Sequence, residues 1–194
     1  QQDIYDKIKK ALTTHNGVCA VLPCRSGKSF IMEEICKSAL KKGSNVLILA
    51  HRNILLGQHK ELINYPNTRI ESVFTEANHL GENGKVDLII IDEAHISGCE
   101  SYHKVCNYYK CKRVLFTATP ARLDGKPLTL ADTLIDGISA NELIKLGAIS
   151  EYDYYAPDGQ EEKGTVIKWI RYDEAGNVGY TINGAEGSEY TLTK

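Results

Sequence analysis

Leu22-Pro23-Cys24-Arg25-Ser26-Gly27-Lys28-Ser29 separates two segments of different habit. Val18-Cys19-Ala20-Val21 before it is a short apolar run of strand type, and residues 30–40 after it read as a helix. A small-residue turn between strand and helix gathers backbone N–H groups at the positive end of the helix, which suits phosphate oxygens. Ser26 and Gly27 belong to that cradle, Lys28 neutralises the outer phosphates, and the Ser29 hydroxyl is placed for Mg²⁺. The stretch matches the end of the phosphate-loop pattern G-x-x-x-x-G-K-[ST] and departs from it at the first glycine, where Leu22 stands.

Further along, Asp87-Leu88-Ile89-Ile90-Ile91 leads into Asp92-Glu93-Ala94-His95. An apolar run ending in adjacent carboxylates is what a buried parallel strand delivers to its carboxyl end, where open α/β sheets take ligands. Asp92 is the candidate to hold Mg²⁺, and Glu93 to orient a water and act as general base. Each signal recurs by chance. Together, each after an apolar strand, they point to a nucleoside triphosphate with its metal.

With Phe116-Thr117-Ala118-Thr119-Pro120 as a third motif, residues 1–157 resemble the first RecA-like lobe of a superfamily 2 DEAH-type helicase or translocase. The resemblance is to the branch related to DNA-repair helicases and restriction-enzyme motor subunits. It implies an α/β fold: a RecA-like P-loop NTPase domain with a mainly parallel sheet flanked by helices. It implies ATP and Mg²⁺ as cofactors and DNA ahead of RNA as partner, although no residue here separates the two nucleic acids. His95, Thr117 and Thr119 correspond to residues that couple nucleotide state to the nucleic-acid site, through hydroxyls that bond to the histidine.

Ala50-His51-Arg52 matches a turn that touches the nucleic-acid backbone in the family, with Arg52 as the phosphate contact. Thr75 stands where relatives often have a second such turn, but Phe74 before it departs from their polar pattern. A glutamine ahead of the first helix recognises adenine in related enzymes; Gln1 or Gln2 matches, without the arginine and aromatic that usually precede it. Arg25 stands where many relatives carry glycine, and a positive φ there would cost about 1–3 kcal/mol.

Helicases of this type take arginine fingers from a second lobe, and such a residue is worth about 10³ to 10⁵ in rate in related phosphate-transfer systems. No second lobe is legible in the 194 residues. The chain by itself is therefore expected to bind ATP·Mg weakly, to hydrolyse it slowly if at all, and to need a second RecA-like lobe or a protein partner for unwinding. The competing reading is a non-catalytic, nucleotide-responsive module that binds nucleic acid or protein. Retention of Lys28, Ser29, Asp92, Glu93 and His95 together favours the enzyme.

A composition 42% hydrophobic and 25% charged is that of a globular chain, and no run approaches the ~20 apolar residues of a membrane span, so a cytoplasmic location without membrane partners is expected. The formal charge of −2 excludes a uniformly basic nucleic-acid surface; any such contact must be local. Six cysteines, with no C-x-x-C pair, read as reduced thiols.

Residues 1–14, with Ile4, Ile8, Ala11 and Leu12 on one stripe, predict a helix, and a further helix is expected from Asn53 to about residue 64. Strands are expected at 45–50, 69–74 and 112–116, a helix at 100–109 with its aromatic face in the core, and loop and helix over 123–149. Residues 152–156 look like an exit strand and 158–164 like a linker. Residues 165–194 change character, with alternating runs and an Asn183-Gly184 turn signal that predict a small antiparallel β-meander of unassigned role.

Overall fold

A computed structural model describes residues 1–51, 53–120, 128–150, 166–172, 178–183 and 189–193. Helix α1 (Gln2–Ala11) leads to strand β1 (Gly17–Val21), and after the quoted turn α2 (Lys28–Leu40) leads to β2 (Val46–Ala50). Then come α3 (Asn53–Leu62), β3 (Thr68–Ser72), α4 (Val73–Asn78), β4 (Leu88–Ile91) and a 3-10 turn at Ala94–Ile96. Helix α5 (Glu100–Tyr109), β5 (Lys112–Thr117), β6 (Thr133–Asp136) and α6 (Ala140–Lys145) follow. The six strands make one sheet in the order β3-β2-β4-β5-β1-β6. Every pairing in it is parallel.

Alternation along the strands sorts the core into two layers. Val18, Ala20, Ile48, Ile90, Val114 and Phe116 pack with Ile4 and Ile8 of α1 and Ile31, Met32 and Ile35 of α2. Cys19, Leu47, Leu49, Ile89, Ile91 and Leu115 face the other way, onto Val73 and Ala77 of α4 and Tyr102 and Val105 of α5. A strand covered on both sides must be apolar at every position, which is why β2 and β4 read as unbroken apolar runs. Each such side chain contributes about 1.5–3 kcal/mol by leaving water. The aromatic face of α5 lies in this core, as its spacing predicts.

Because all six strands run the same way, their carboxyl ends share one rim. Val21 is level with Thr117, and Ile91 with Leu115. Strands β4, β5 and β1 are consecutive neighbours, so the segments that follow them leave the sheet side by side.

Two expectations are corrected. The strand expected over 69–74 ends at Ser72, whose hydroxyl accepts the Phe74 N–H at 3.3 Å and caps α4. Phe74 and Thr75 are therefore helical, because a serine acceptor at that position satisfies a first-turn N–H that a strand would leave to the ladder. Strand β6 was expected as loop; it pairs with β1 at the sheet edge, and Leu134 is half exposed.

Residues Tyr152–Lys194 form a separate compact unit from Gln1–Glu151. Within it β7 (Val166–Tyr172), β8 (Val178–Asn183) and β9 (Glu189–Thr193) pair antiparallel in that order. The expected exit strand, the linker and the Asn183-Gly184 turn itself involve positions outside the described residues. Among the described residues no helix is long and apolar enough to cross a membrane.

Candidate functional site

The turn after β1 is tied down by main-chain bonds. Leu22 N–H donates to the Thr117 carbonyl at 2.8 Å, fastening the loop to the end of β5, and Ser26 N–H donates to the Pro23 carbonyl at 3.3 Å. Arg25 (φ 61°) and Gly27 (φ 89°) are both left-handed. Arg25 thus carries the strain of about 1–3 kcal/mol expected of a non-glycine residue there. At Gly27 the left-handed backbone disfavours any side chain, and a Cβ would also displace the Gln1 amide that lies against it. The Ser26 hydroxyl is buried and has no hydrogen-bond partner among the described residues, a state that buried polar groups rarely keep without a ligand.

Lys28 opens α2, and its Nζ lies 4.0 Å from Glu93 Oε1. Ser29 follows, exposed on the first helical turn. Asp92 is buried at the end of β4, where its Oδ1 accepts the Glu93 N–H at 2.9 Å and its Oδ2 lies 3.0 Å from His59 Nε2. Burial alone would push the Asp92 carboxyl up; the His59 hydrogen bond and charge, the Glu93 N–H and the Lys28 charge outweigh it and hold the group below the usual carboxylate range. Glu93 itself is left-handed (φ 52°), so strain sits on both sides of the Lys28–Glu93 gap.

His95 Nδ1 lies 3.3 Å from Thr117 Oγ1 and 3.4 Å from Glu93 Oε2. The Thr117 hydroxyl gives its proton to the Thr119 carbonyl at 2.9 Å and accepts the Thr119 N–H at 3.1 Å. A hydroxyl has one proton, so His95 Nδ1 is the donor in its contact with Thr117. Of the two threonine hydroxyls expected to meet His95, the described hydrogen bonds join only that of Thr117 to it; Thr119 enters through its backbone.

Between the two N-terminal glutamines, Gln1 lies against the loop, its Nε2 3.4 Å from the Ser26 carbonyl, while Gln2 turns to Asp6. Beside Gln1 opens a groove of about 400 Å³ walled by Ile4, Leu22, Ser26, Gly137 and Leu143. Gly137 donates its N–H to the Val21 carbonyl at 3.0 Å, and a Cβ there would strike Leu22. A second groove of about 480 Å³, between α1 and β6, contains none of the candidate residues. Thr75 is exposed in the first turn of α4, and Arg52 lies outside the described residues.

Lys28, Ser29, Asp92, Glu93, His95, Thr117 and Thr119 therefore gather on one rim, with Gln1 at the loop. A hydroxyl, an ionised carboxylate and a lysine beside an unpaired buried Ser26 hydroxyl fit a polyphosphate with a hard divalent cation. Sequence reasoning missed His59. The signal was present: Leu56 and His59 of α3, with Ile63 just after it, form one buried stripe, and a buried histidine needs a polar partner.

The family model described as "Type III restriction enzyme, res subunit" matches residues 1–82 and 66–122. A "51.5 kDa protein" of Lactococcus phage (isolate 7-9) is 35% identical over an alignment of 141 residues that covers 69% of this chain and 31% of that protein. The Hef helicase domain of Pyrococcus furiosus superposes with a TM-score of 0.54 at 22% identity, over 69% of this chain and 37% of its own. A nuclease-deletion mutant of the Type ISP restriction-modification enzyme LlaGI, solved with a DNA substrate mimic, superposes with a TM-score of 0.58 at 17% identity, over 76% of this chain and 20% of its own. The matches thus span between 20% and 37% of the length of these proteins. The chain belongs to the type III restriction enzyme res subunit family, and its parallel-sheet unit has the RecA-like α/β fold.

Proposed function

We propose that this lobe binds ATP with Mg²⁺ at the rim of β1, β4 and β5 and hydrolyses it as one half of a DEAH-type, DNA-directed motor. The observation that carries the reading is the convergence of Lys28 and Glu93 to 4.0 Å, next to a buried, ionised Asp92. The loop at Ser26, Gly27 and Lys28 holds the phosphates, and Ser29 and Asp92 hold the metal. Magnesium, when bound, supplies charge neutralisation on the phosphate oxygens. Glu93 accepts a proton from the attacking water while the bond from the γ-phosphorus to the bridging oxygen breaks and ADP leaves. The His95–Thr117 bond relays the state of that site to the end of β5, and Gln1 faces the base from the groove wall.

Arg52, which follows β2 in sequence, and Thr75, in the first turn of α4, are the proposed contacts to the strand. DNA is favoured because the solved Type ISP relative holds a DNA substrate mimic. A second RecA-like lobe, in the same longer protein or a partner, supplies what the motor still needs. Phosphate release with and without single-stranded DNA or RNA, for the native chain and Glu93→Gln, tests this. Hydrolysis that survives the substitution undamaged would refute the assigned base.

A further inference from the structure

His59 and Asp92 meet away from solvent: their side chains are 4% and 9% exposed. Their contact, Nε2 to Oδ2 at 3.0 Å, joins the middle of α3 to the end of β4, two elements that the chain connects only through β3 and α4. An ionised carboxylate accepts and does not donate, so the hydrogen lies on His59 Nε2. The other carboxylate oxygen is taken by the Glu93 N–H at 2.9 Å. Both oxygens are thereby held from inside the protein, and turning the carboxylate would break two hydrogen bonds where the dielectric is low. Leu56 and Ile63, on either side along the same buried stripe, fix the helix that carries the ring.

We propose that His59 is a positioning residue: through Asp92 Oδ2 it sets the orientation in which the Asp92 carboxylate meets the divalent cation of the bound nucleotide. This rests on the reading of Asp92 as a metal ligand. Helix α3 begins at Asn53, the residue that follows the proposed strand contact Arg52 in sequence, so the element that holds the metal carboxylate is next in the chain to that contact. Partners that orient metal ligands are worth about 10- to 100-fold in metal affinity. A histidine that merely fills the core would act on stability and leave the metal alone.

The test is the affinity of a fluorescent ADP analogue as Mg²⁺ is titrated into the full chain, for the native protein, His59→Leu and His59→Gln. Leucine keeps the volume without the donor; glutamine keeps an N–H donor. The Leu variant is expected to need about 10- to 100-fold more Mg²⁺ for half its effect. Its metal-free nucleotide affinity should stay unchanged, and the Gln variant should stay near the native midpoint. Equal midpoints in all three chains would overturn the role of His59 alone. So would loss of metal-free and metal-bound affinity in equal measure. A native chain whose nucleotide affinity ignores Mg²⁺ would instead remove the reading of Asp92 and this proposal with it. If the Leu variant does not fold, long-range nitrogen NMR of the native chain decides. An Nε2–H tautomer at His59 that responds to Mg·ADP supports the proposal, and an Nδ1–H tautomer or an unresponsive ring overturns it.

Discussion

Lys28 and Glu93 come within 4.0 Å of one another from the connections that follow β1 and β4, across the end of β5. At that distance the pair is loose, and a triphosphate is a stronger partner for the ammonium than one half-screened carboxylate. Replacing Glu93 by Gln is therefore expected to leave ATP affinity intact or slightly raised while the hydrolysis rate falls about 10²- to 10⁴-fold. Equilibrium binding and phosphate release on the same preparation check both halves. Affinity lost together with rate would assign Glu93 to binding.

Arg25 stores backbone strain at φ 61° next to the phosphate loop. Arg25→Gly should raise unfolding stability by about 1 kcal/mol, the relief of a left-handed non-glycine residue less the added freedom of the unfolded chain. Urea midpoints at constant slope measure this. A destabilised variant would mean that the arginine side chain makes a compensating contact.

Glu76 is almost fully buried, held by Arg69 Nη1 and Nη2 at 2.9 and 3.0 Å and by Tyr109 Oη at 2.5 Å. These bonds join β3, α4 and α5, so the six-residue α4 owes its position to them. Glu76→Ala leaves a guanidinium without its partner and should cost about 3–5 kcal/mol in urea unfolding. A cost below about 1 kcal/mol would show that water replaces the carboxylate freely.

Asp132 accepts the Gly17 N–H at 2.7 Å and the Asn16 N–H at 2.8 Å, fixing the start of β1 against the approach to β6. The Gly17 N–H is the main cause that holds its carboxyl below the usual range; burial, the next largest effect, opposes it, and Asn16, Arg113 and His15 add to the lowering. A depressed folded value means that the stabilisation is present above the unfolded value of about 3.9 and is lost as pH falls through the folded one. Asp132→Asn should therefore melt below the native chain at pH 7, and the gap should close as pH drops from about 4 toward 2. A gap independent of pH would assign the effect to packing.

Legibility in the sequence followed burial. Leu88 to Ile91 announce a strand because both faces are covered, and the same burial makes Asp92 conspicuous as the first charge after it. Thr133 to Asp136 lie at an edge, with alternate residues exposed, and without two covered faces nothing in their composition marks a strand. The β3–α4 boundary turned on one serine hydroxyl, which Val73 and Phe74, good strand formers, concealed. Lys28, Ser29 and Glu93 were found because their spacing from strand ends is local. His59 was missed because its meaning comes from Asp92, a partner brought to it by the sheet and not by the chain.

The most direct test of the rim site is calorimetric titration of ATP into the intact chain with and without Mg²⁺, repeated on Lys28→Ala and Asp92→Asn. One binding event per chain is expected, strengthened by Mg²⁺ in the native protein, lost in Lys28→Ala, and indifferent to Mg²⁺ in Asp92→Asn. Binding that ignores both substitutions, or no binding at all at millimolar ATP, would mean that the convergence of Lys28, Asp92 and Glu93 is not a nucleotide site.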